Sequence, residues 1–268
     1  MKDSQEYNVR AVERALQILG CFDDDHPERG VSEIALEVGL HKATTHRIMT
    51  TLLNYNYLER TGVEQKYRLG VHLADLGCKV IRRMDVRQEA RPYMAQLVDQ
   101  WDETCDLGLF DQGQVFYIEV MRGSHTLTIA AAVGQRLPAH CTASGKLFLA
   151  YLPPHELDAL LGKPLPAYTD RTITEPEVLR QQLEVIRHQG YGRDDEEFEA
   201  GIRAVSAPIR NHEGNVVAAM SVPGPTSRMT LDRAAEIAEA LTAAAQAVSR
   251  RLGWNPSPWP ASEAQVVA

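Results

Sequence analysis

The 268-residue chain lacks any apolar run near the roughly 20 residues that a membrane-spanning helix needs, and its amino-terminal MKDSQEYNVR has no signal-peptide core. A cytoplasmic protein is the expectation. Cysteine is scarce: Cys21, Cys78, Cys105 and Cys141 are widely spaced, with no CxxC pair. That excludes a disulfide framework or zinc ribbon and reads as reduced thiols, with no metal or cofactor expected. An excess of positive charge is also missing, since Lys and Arg number 28 against 36 Asp and Glu, a net charge of −8. A protein basic over its whole surface is excluded, but a small basic face is not. No internal repeat is found. The 44% hydrophobic and 24% charged content is that of a soluble globular protein with one or two cores.

The chain is organised around residues 31–57, VSEIALEVGLHKATTHRIMTTLLNYNY. Ser32 has the character of an N-cap, and Glu33 sits in a first turn, where the helix dipole favours an acid. Ile34, Ala35 and Val38 face inward, and Gly39 ends the helix. A second helix over 40–53 is polar in its first half (Lys42, Thr44, Thr45, His46, Arg47) and apolar at Ile48, Met49, Leu52 and Leu53. It suits packing at one end and presentation at the other. Before it, Val12, Ala15, Leu16 and Leu19 mark one face of a helix over 9–22, and residues 23–30 read as a solvated loop.

After it, residues 57–69 read as a hairpin with its tip near Gly62, the place for a wing. Leu73, Leu76, Val80 and Met84 form the seam of a linker helix, and Pro92 marks a kink or a new start. From Cys105 the period changes. Strands are expected over 105–111, 114–121, 127–133, 204–210 and 216–222, and helices over 144–151, 153–161, 175–189 and 231–252. Hairpin turns among them imply an antiparallel sheet with helices packed on it. The fold class is α+β. The expected domains are a winged helix-turn-helix over 1–72, a linker helix over 73–95, a sheet domain over 96–252, and a disordered tail over 253–268.

Between Leu40 and Arg68 five cations (Lys42, Arg47, Arg60, Lys66, Arg68) stand against two acids (Glu59, Glu64), a local excess of three positive charges. Phosphates answer to such a local surface. Lys42, Thr44 and Thr45, at the helix start, are candidates for phosphate contact, and His46 and Arg47 for base edges in the major groove of double-stranded DNA. Lys66 and Arg68 add cations from the wing. The bland alternative for each cation is a solvated surface charge.

Elsewhere the candidate chemistry is weak. The acids Asp194, Asp195, Glu196, Glu197 and Glu199 could pair for acid–base work, but a run of acids is more often a solvated loop. Ser144-Gly145-Lys146 fails the phosphate-loop pattern at His140 and at Leu147, which leaves Lys146 a structural or surface cation. His140 and Cys141, as strand neighbours, would face opposite ways. No ligand spacing supports a metal at Cys105, His125, His140 and Cys141.

The run SEIALEVGLHKATTHRIMTTLLNYNYLER, followed by YRLG, resembles the winged helix-turn-helix of the IclR family of bacterial transcriptional regulators. HCTASGKLFLA at 140–150 and GYGRDDEEFEAGIRAVSAPIRNHEGNVVAAMSVPGP at 190–225 resemble that family's two effector-domain signatures. The resemblance implies a GAF-like antiparallel-sheet domain holding a small organic acid. It places Ile129 and Leu137 as apolar walls, Ala143 and Ser144 as backbone donors to an anion, and Asp194, Ile202, Ala204, Ser221 and Pro223 around it. Ala204 and Pro223 lack the hydrogen-bonding groups found in relatives that take very small acids. A more apolar pocket and a larger or aromatic acid are therefore expected. The resemblance further implies homodimers, often paired into tetramers, on a palindromic operator. Repression is the expected sign, though an activator shares these features. An enzyme with an appended winged helix, or a helix-turn-helix used for protein contact, is the reading from another class.

Overall fold

The computed structural model describes residues 9–23, 25–62, 66–82, 85–126 and 132–255. The chain divides into two compact units, Met1–Arg83 and Met84–Ala268.

In the first unit, helices α1 (Arg10–Leu19), α2 (Val31–Glu37) and α3 (Lys42–Asn54) precede a two-stranded wing, β1 (Leu58–Arg60) and β2 (Tyr67–Leu69), and helix α4 (Val71–Arg82). Ile18, Cys21, Phe22, Ile34, Met49, Leu58 and Tyr67 form its buried core. α2 begins two residues earlier than the sequence suggests. Gly30 is its N-cap, and the Glu33 side chain reaches back 2.8 Å to accept from the Gly30 N–H. Gly39 holds φ +65, the left-handed turn between α2 and α3 that a side chain would strain. His41 caps α3, its Nδ1 3.3 Å from the Ala43 N–H.

Two expectations for this unit change. On α1 the buried residue is Ile18, while Val12 and Leu16 are 56% and 63% exposed. The core is small and reaches only the last turn of α1. Residues 23–30 do more than fill a loop, since Arg29 exchanges two 2.9 Å backbone hydrogen bonds with Tyr67 and so extends the wing. On α4, Leu76 is 37% exposed. The side chain of Val80 and residue Met84 lie outside the described residues.

The second unit is built on a six-stranded antiparallel sheet. Its strands are β3 (Cys105–Asp111), β4 (Gln114–Met121), β5 (Arg136–Pro138), β6 (Gly192–Asp195), β7 (Ile202–Arg210) and β8 (Val216–Pro225), in spatial order β5-β4-β3-β8-β7-β6. Helices α5 (Asp85–Trp101) and α9 (Leu231–Arg251) cover one face through Ala90, Met94, Leu97, Ile237 and Leu241. Pro92 lies inside α5, not at a start. On the other face sit α6 (Ala143–Tyr151), α7 (Pro154–Leu161) and α8 (Pro176–Gln189), packed through Leu147, Phe148, Leu157 and Leu183. Strand alternation sends Leu107, Val205 and Met220 to the first face and Asp106, Ser206 and Ser221 to the second.

Three sheet details differ from the sequence reading. The expected strand over 127–133 falls largely outside the described residues, and Val133 is in a turn. β5 and β6 were not anticipated. Both are short, and β6 lies within the acidic run. His140 and Cys141 occupy a 3-10 turn, both buried, with His140 Nε2 2.9 Å from the Pro166 carbonyl. The tail beyond Asn255 lies outside the described residues.

Candidate functional site

The head presents one face. Lys42, His46 and Arg47 are exposed along α3, and none has a side-chain partner among the described residues. Thr44 is half-buried at the same end. Together with Arg60, Lys66 and the start of α2, Lys42, His46 and Arg47 line one cleft, and Thr44 is not part of its lining. Thr45 does not belong to it. It is fully buried, its hydroxyl donating 3.4 Å to the His41 carbonyl, so it packs and cannot reach DNA. The reason is helical period: Thr45 stands one turn before buried Met49. Arg68 is exposed on β2 and is paired across the hairpin with Glu59 at 3.0 and 3.1 Å. An exposed pair of this kind is worth little, so a phosphate can compete for the guanidinium.

In the second unit a cavity of about 160 Å³ lies between α6 and the sheet. Leu137, Ala143, Ser144, Asp194, Ile202, Ala204, Ser221 and Pro223 all line it, from the five elements β5, α6, β6, β7 and β8. Ile129 lies outside the described residues. The first turn of α6 points into the cavity. Thr142 caps it, its Oγ1 accepting from Gly145 N at 3.3 Å, and the Ser144 hydroxyl is buried without a partner among the described residues. Such a helix start with a spare hydroxyl can hold an anion.

The wall is more polar than expected. Asp106, Tyr117, Gln135, Thr142 and Glu199 also line it, so neighbours replace the hydrogen-bonding groups missing at Ala204 and Pro223. Three acids and, among the described residues, no basic side chain face the cavity. Burial pushes the Asp106 carboxyl up to about 7, although the Ser221 hydroxyl donates to it. Burial likewise carries Asp194 up to about 7, against the 2.8 Å hydrogen bond from Glu197 N–H. Tyr117 is raised well above its ordinary range by burial, then by Asp106 and Asp194, which places all three groups together.

The acidic run is not a solvated loop throughout. Asp194 and Glu197 are each 4% exposed. Glu197 pairs with Lys146, which also donates 2.8 Å to Gln182 on α8. Asp106 and Tyr117 were missed because only the pairing of distant strands brings them to the cavity.

Family models match both parts of the chain: the IclR helix-turn-helix domain over residues 11–62, and the bacterial transcriptional regulator IclR C-terminal domain over 78–250. The chain belongs to the IclR family of bacterial transcriptional regulators. It is a DNA-binding regulator with a winged helix-turn-helix head and a GAF-like effector-binding domain. Among IclR-family proteins, the regulator XynR of Escherichia coli is 38% identical over 92% of this chain and 98% of its own. The transcriptional repressor IclR of the same organism is 30% identical over 91% of this chain and 90% of its own. A solved IclR homolog from Microbacterium hydrocarbonoxydans, complexed with 4-hydroxybenzoate, is 30% identical with a TM-score of 0.77, covering 90% of this chain and 98% of its own. No described helix is long and apolar enough to cross a membrane.

Proposed function

We infer that this chain is a cytoplasmic, homodimeric repressor that holds a palindromic operator and answers to a small organic acid of about ring size. The observation that carries the reading is the convergence of Leu137, Ala143, Ser144, Asp194, Ile202, Ala204, Ser221 and Pro223 on one cavity. Its volume of about 160 Å³ is close to the roughly 150 Å³ that accepts benzene in an engineered protein cavity. The acid's carboxylate sits at the start of α6, on the backbone N–H groups of Ala143 and Ser144 and the Ser144 hydroxyl.

On the head, Lys42 and Thr44 meet phosphate, His46 and Arg47 meet base edges, and Lys66 and Arg68 steady the wing. Exposed Val9, Val12 and Leu16 share one face of the amino-terminal helical segment and support pairing of two chains, with a dimer of dimers as the larger assembly. The repressor relative supports the sign, and the 4-hydroxybenzoate complex of the Microbacterium homolog supports the ligand class. The role is binding, not turnover, and the acid is recovered unchanged. Effector control requires unequal affinity for two states of the regulator.

The test is a salt-titrated mobility shift on DNA upstream of its own gene, with and without acids. The expected result is steep loss of binding with salt, and release by 4-hydroxybenzoate or benzoate in preference to glyoxylate or pyruvate. Release by the two- and three-carbon acids alone overturns the ligand class.

A further inference from the structure

We propose that the effector is a hydroxylated acid, and that Asp106 on the sheet floor of the cavity reads its hydroxyl. This rests on the reading above that the cavity holds an organic acid. Asp106 lies on β3 and is 2% exposed. Its register partner on β8 is Ser221, whose Oγ–H donates to Asp106 Oδ1. Ser221 in turn stands opposite Ser206 on β7, whose hydroxyl is buried without a partner among the described residues. A row of polar groups therefore crosses three strands beneath α6. Tyr117 and Gln135 add further polar groups to the same lining.

A plain hydrocarbon acid needs none of these groups. It would leave Asp106 facing apolar carbon, and buried polar groups without partners are costly. The ligand's own carboxylate is repelled from Asp106 and drawn to α6, which fixes the two ends of the molecule. The group that meets Asp106 is then a donor.

A hydroxyl fits better than an ammonium. Burial lifts both Asp106 and Asp194 to about 7, so near neutral pH each is divided between acid and carboxylate. A hydroxyl donates to the carboxylate and accepts from the acid, and so pairs with either form. An ammonium only donates, and it must first lose a tightly held hydration shell.

The test is calorimetry on the full chain with matched pairs: 4-hydroxybenzoate and benzoate, 3-hydroxybutyrate and butyrate, gluconate and hexanoate. The hydroxylated member of at least one pair is expected to bind about tenfold more tightly. That ratio should fall toward one in Asp106→Ala, and in Asp106→Ala/Ser221→Ala, which avoids leaving the Ser221 hydroxyl without its acceptor. If thermal melting shows that neither folds, Asp106→Asn keeps the side-chain size and a partner for Ser221, and the ratio should still shrink. Equal binding within every pair overturns this inference and leaves the acid reading standing. Absence of binding by all six acids overturns both. A preserved ratio in the Asp106 variants overturns the assignment to Asp106. Tighter binding of 4-(aminomethyl)benzoate than of 4-(hydroxymethyl)benzoate overturns the hydroxyl in favour of a cation.

Discussion

The Lys146 ammonium on α6 and the Glu197 carboxylate after β6 form an ion pair with both side chains all but sealed from solvent, at 0% and 6% exposure. Gln182 of α8 accepts a second hydrogen bond from the same ammonium. Three segments thus meet at one cation, directly behind the helix start that faces the cavity. Removing one partner strands a buried charge, whereas replacing both with apolar groups of similar size does not. Lys146→Met is expected to lower unfolding free energy by about 3–5 kcal/mol. Lys146→Met combined with Glu197→Leu should recover most of that loss. Urea unfolding of both variants checks this, and a double variant no more stable than the single one refutes it.

The raised carboxyls make stability depend on pH with a definite sign. Asp106 and Asp194 titrate near 7 when folded, from an ordinary value of 3.8. The folded state therefore holds protons that the unfolded chain releases, and these groups lose stability as pH rises from about 4 through about 7. Asp106→Asn keeps a partner for Ser221 and cannot ionise. It should be more stable than the parent at pH 8, by on the order of 4 kcal/mol at most, with the advantage fading as pH falls toward 4. Denaturant midpoints at pH 8, 6 and 5 measure it. An advantage that grows on acidification contradicts the assignment.

Arg47, proposed to meet DNA, is exposed on α3, and Thr45, two residues before it, is buried. Arg47→Ala should weaken operator binding by about 1–3 kcal/mol and relax the preference for one base pair. Lys42→Ala should weaken binding to all sequences alike and reduce the salt slope by about one. Thr45→Val, by contrast, replaces a fully buried hydroxyl and should leave operator affinity within about twofold. Mobility shifts at several salt concentrations distinguish the three. A loss of specific binding in Thr45→Val, with its melting temperature intact, returns Thr45 to the interface.

The error at Thr45 shows what the sequence could and could not reveal. The first half of α3 reads as polar by composition, yet stepping back four residues from Met49 lands on Thr45 and places it inside. Period outranks polarity there, and the signal was present. The same holds at Asp194. Alternation along Gly192, Arg193, Asp194 and Asp195 is buried, exposed, buried, half-buried, a strand's rhythm hidden in a run of acids. Asp106 is different. Its role depends on β3 lying against β8, more than a hundred residues later, and no local pattern encodes that pairing. The head and the alternation of strands and helices were legible because short motifs or close periodicities carry them, whereas the expected cavity residues followed from the resemblance to the family and not from local pattern.

Gly192 is where the cavity depends on the absence of a side chain. A Cβ built there lies 2.4 Å from the Ala143 carbonyl oxygen and 2.6 Å from the Ser206 hydroxyl. The first contact is backbone, so α6 itself would have to move away from β6, taking the Ala143 and Ser144 N–H groups with it. Packed interiors resist such insertion, and overpacking costs typically about 1–3 kcal/mol. Gly192→Ala is therefore expected to lose at least tenfold in affinity for an acid that binds the parent chain, more than its stability loss alone explains. Operator binding should persist in the folded fraction, because the head carries its own core of Ile18, Ile34 and Met49. Calorimetry for the acid and a mobility shift for the operator, run on one preparation, separate the two effects. An unchanged acid affinity would show that α6 absorbs the methyl without shifting its first turn, and the anion site would then lie elsewhere in the cavity.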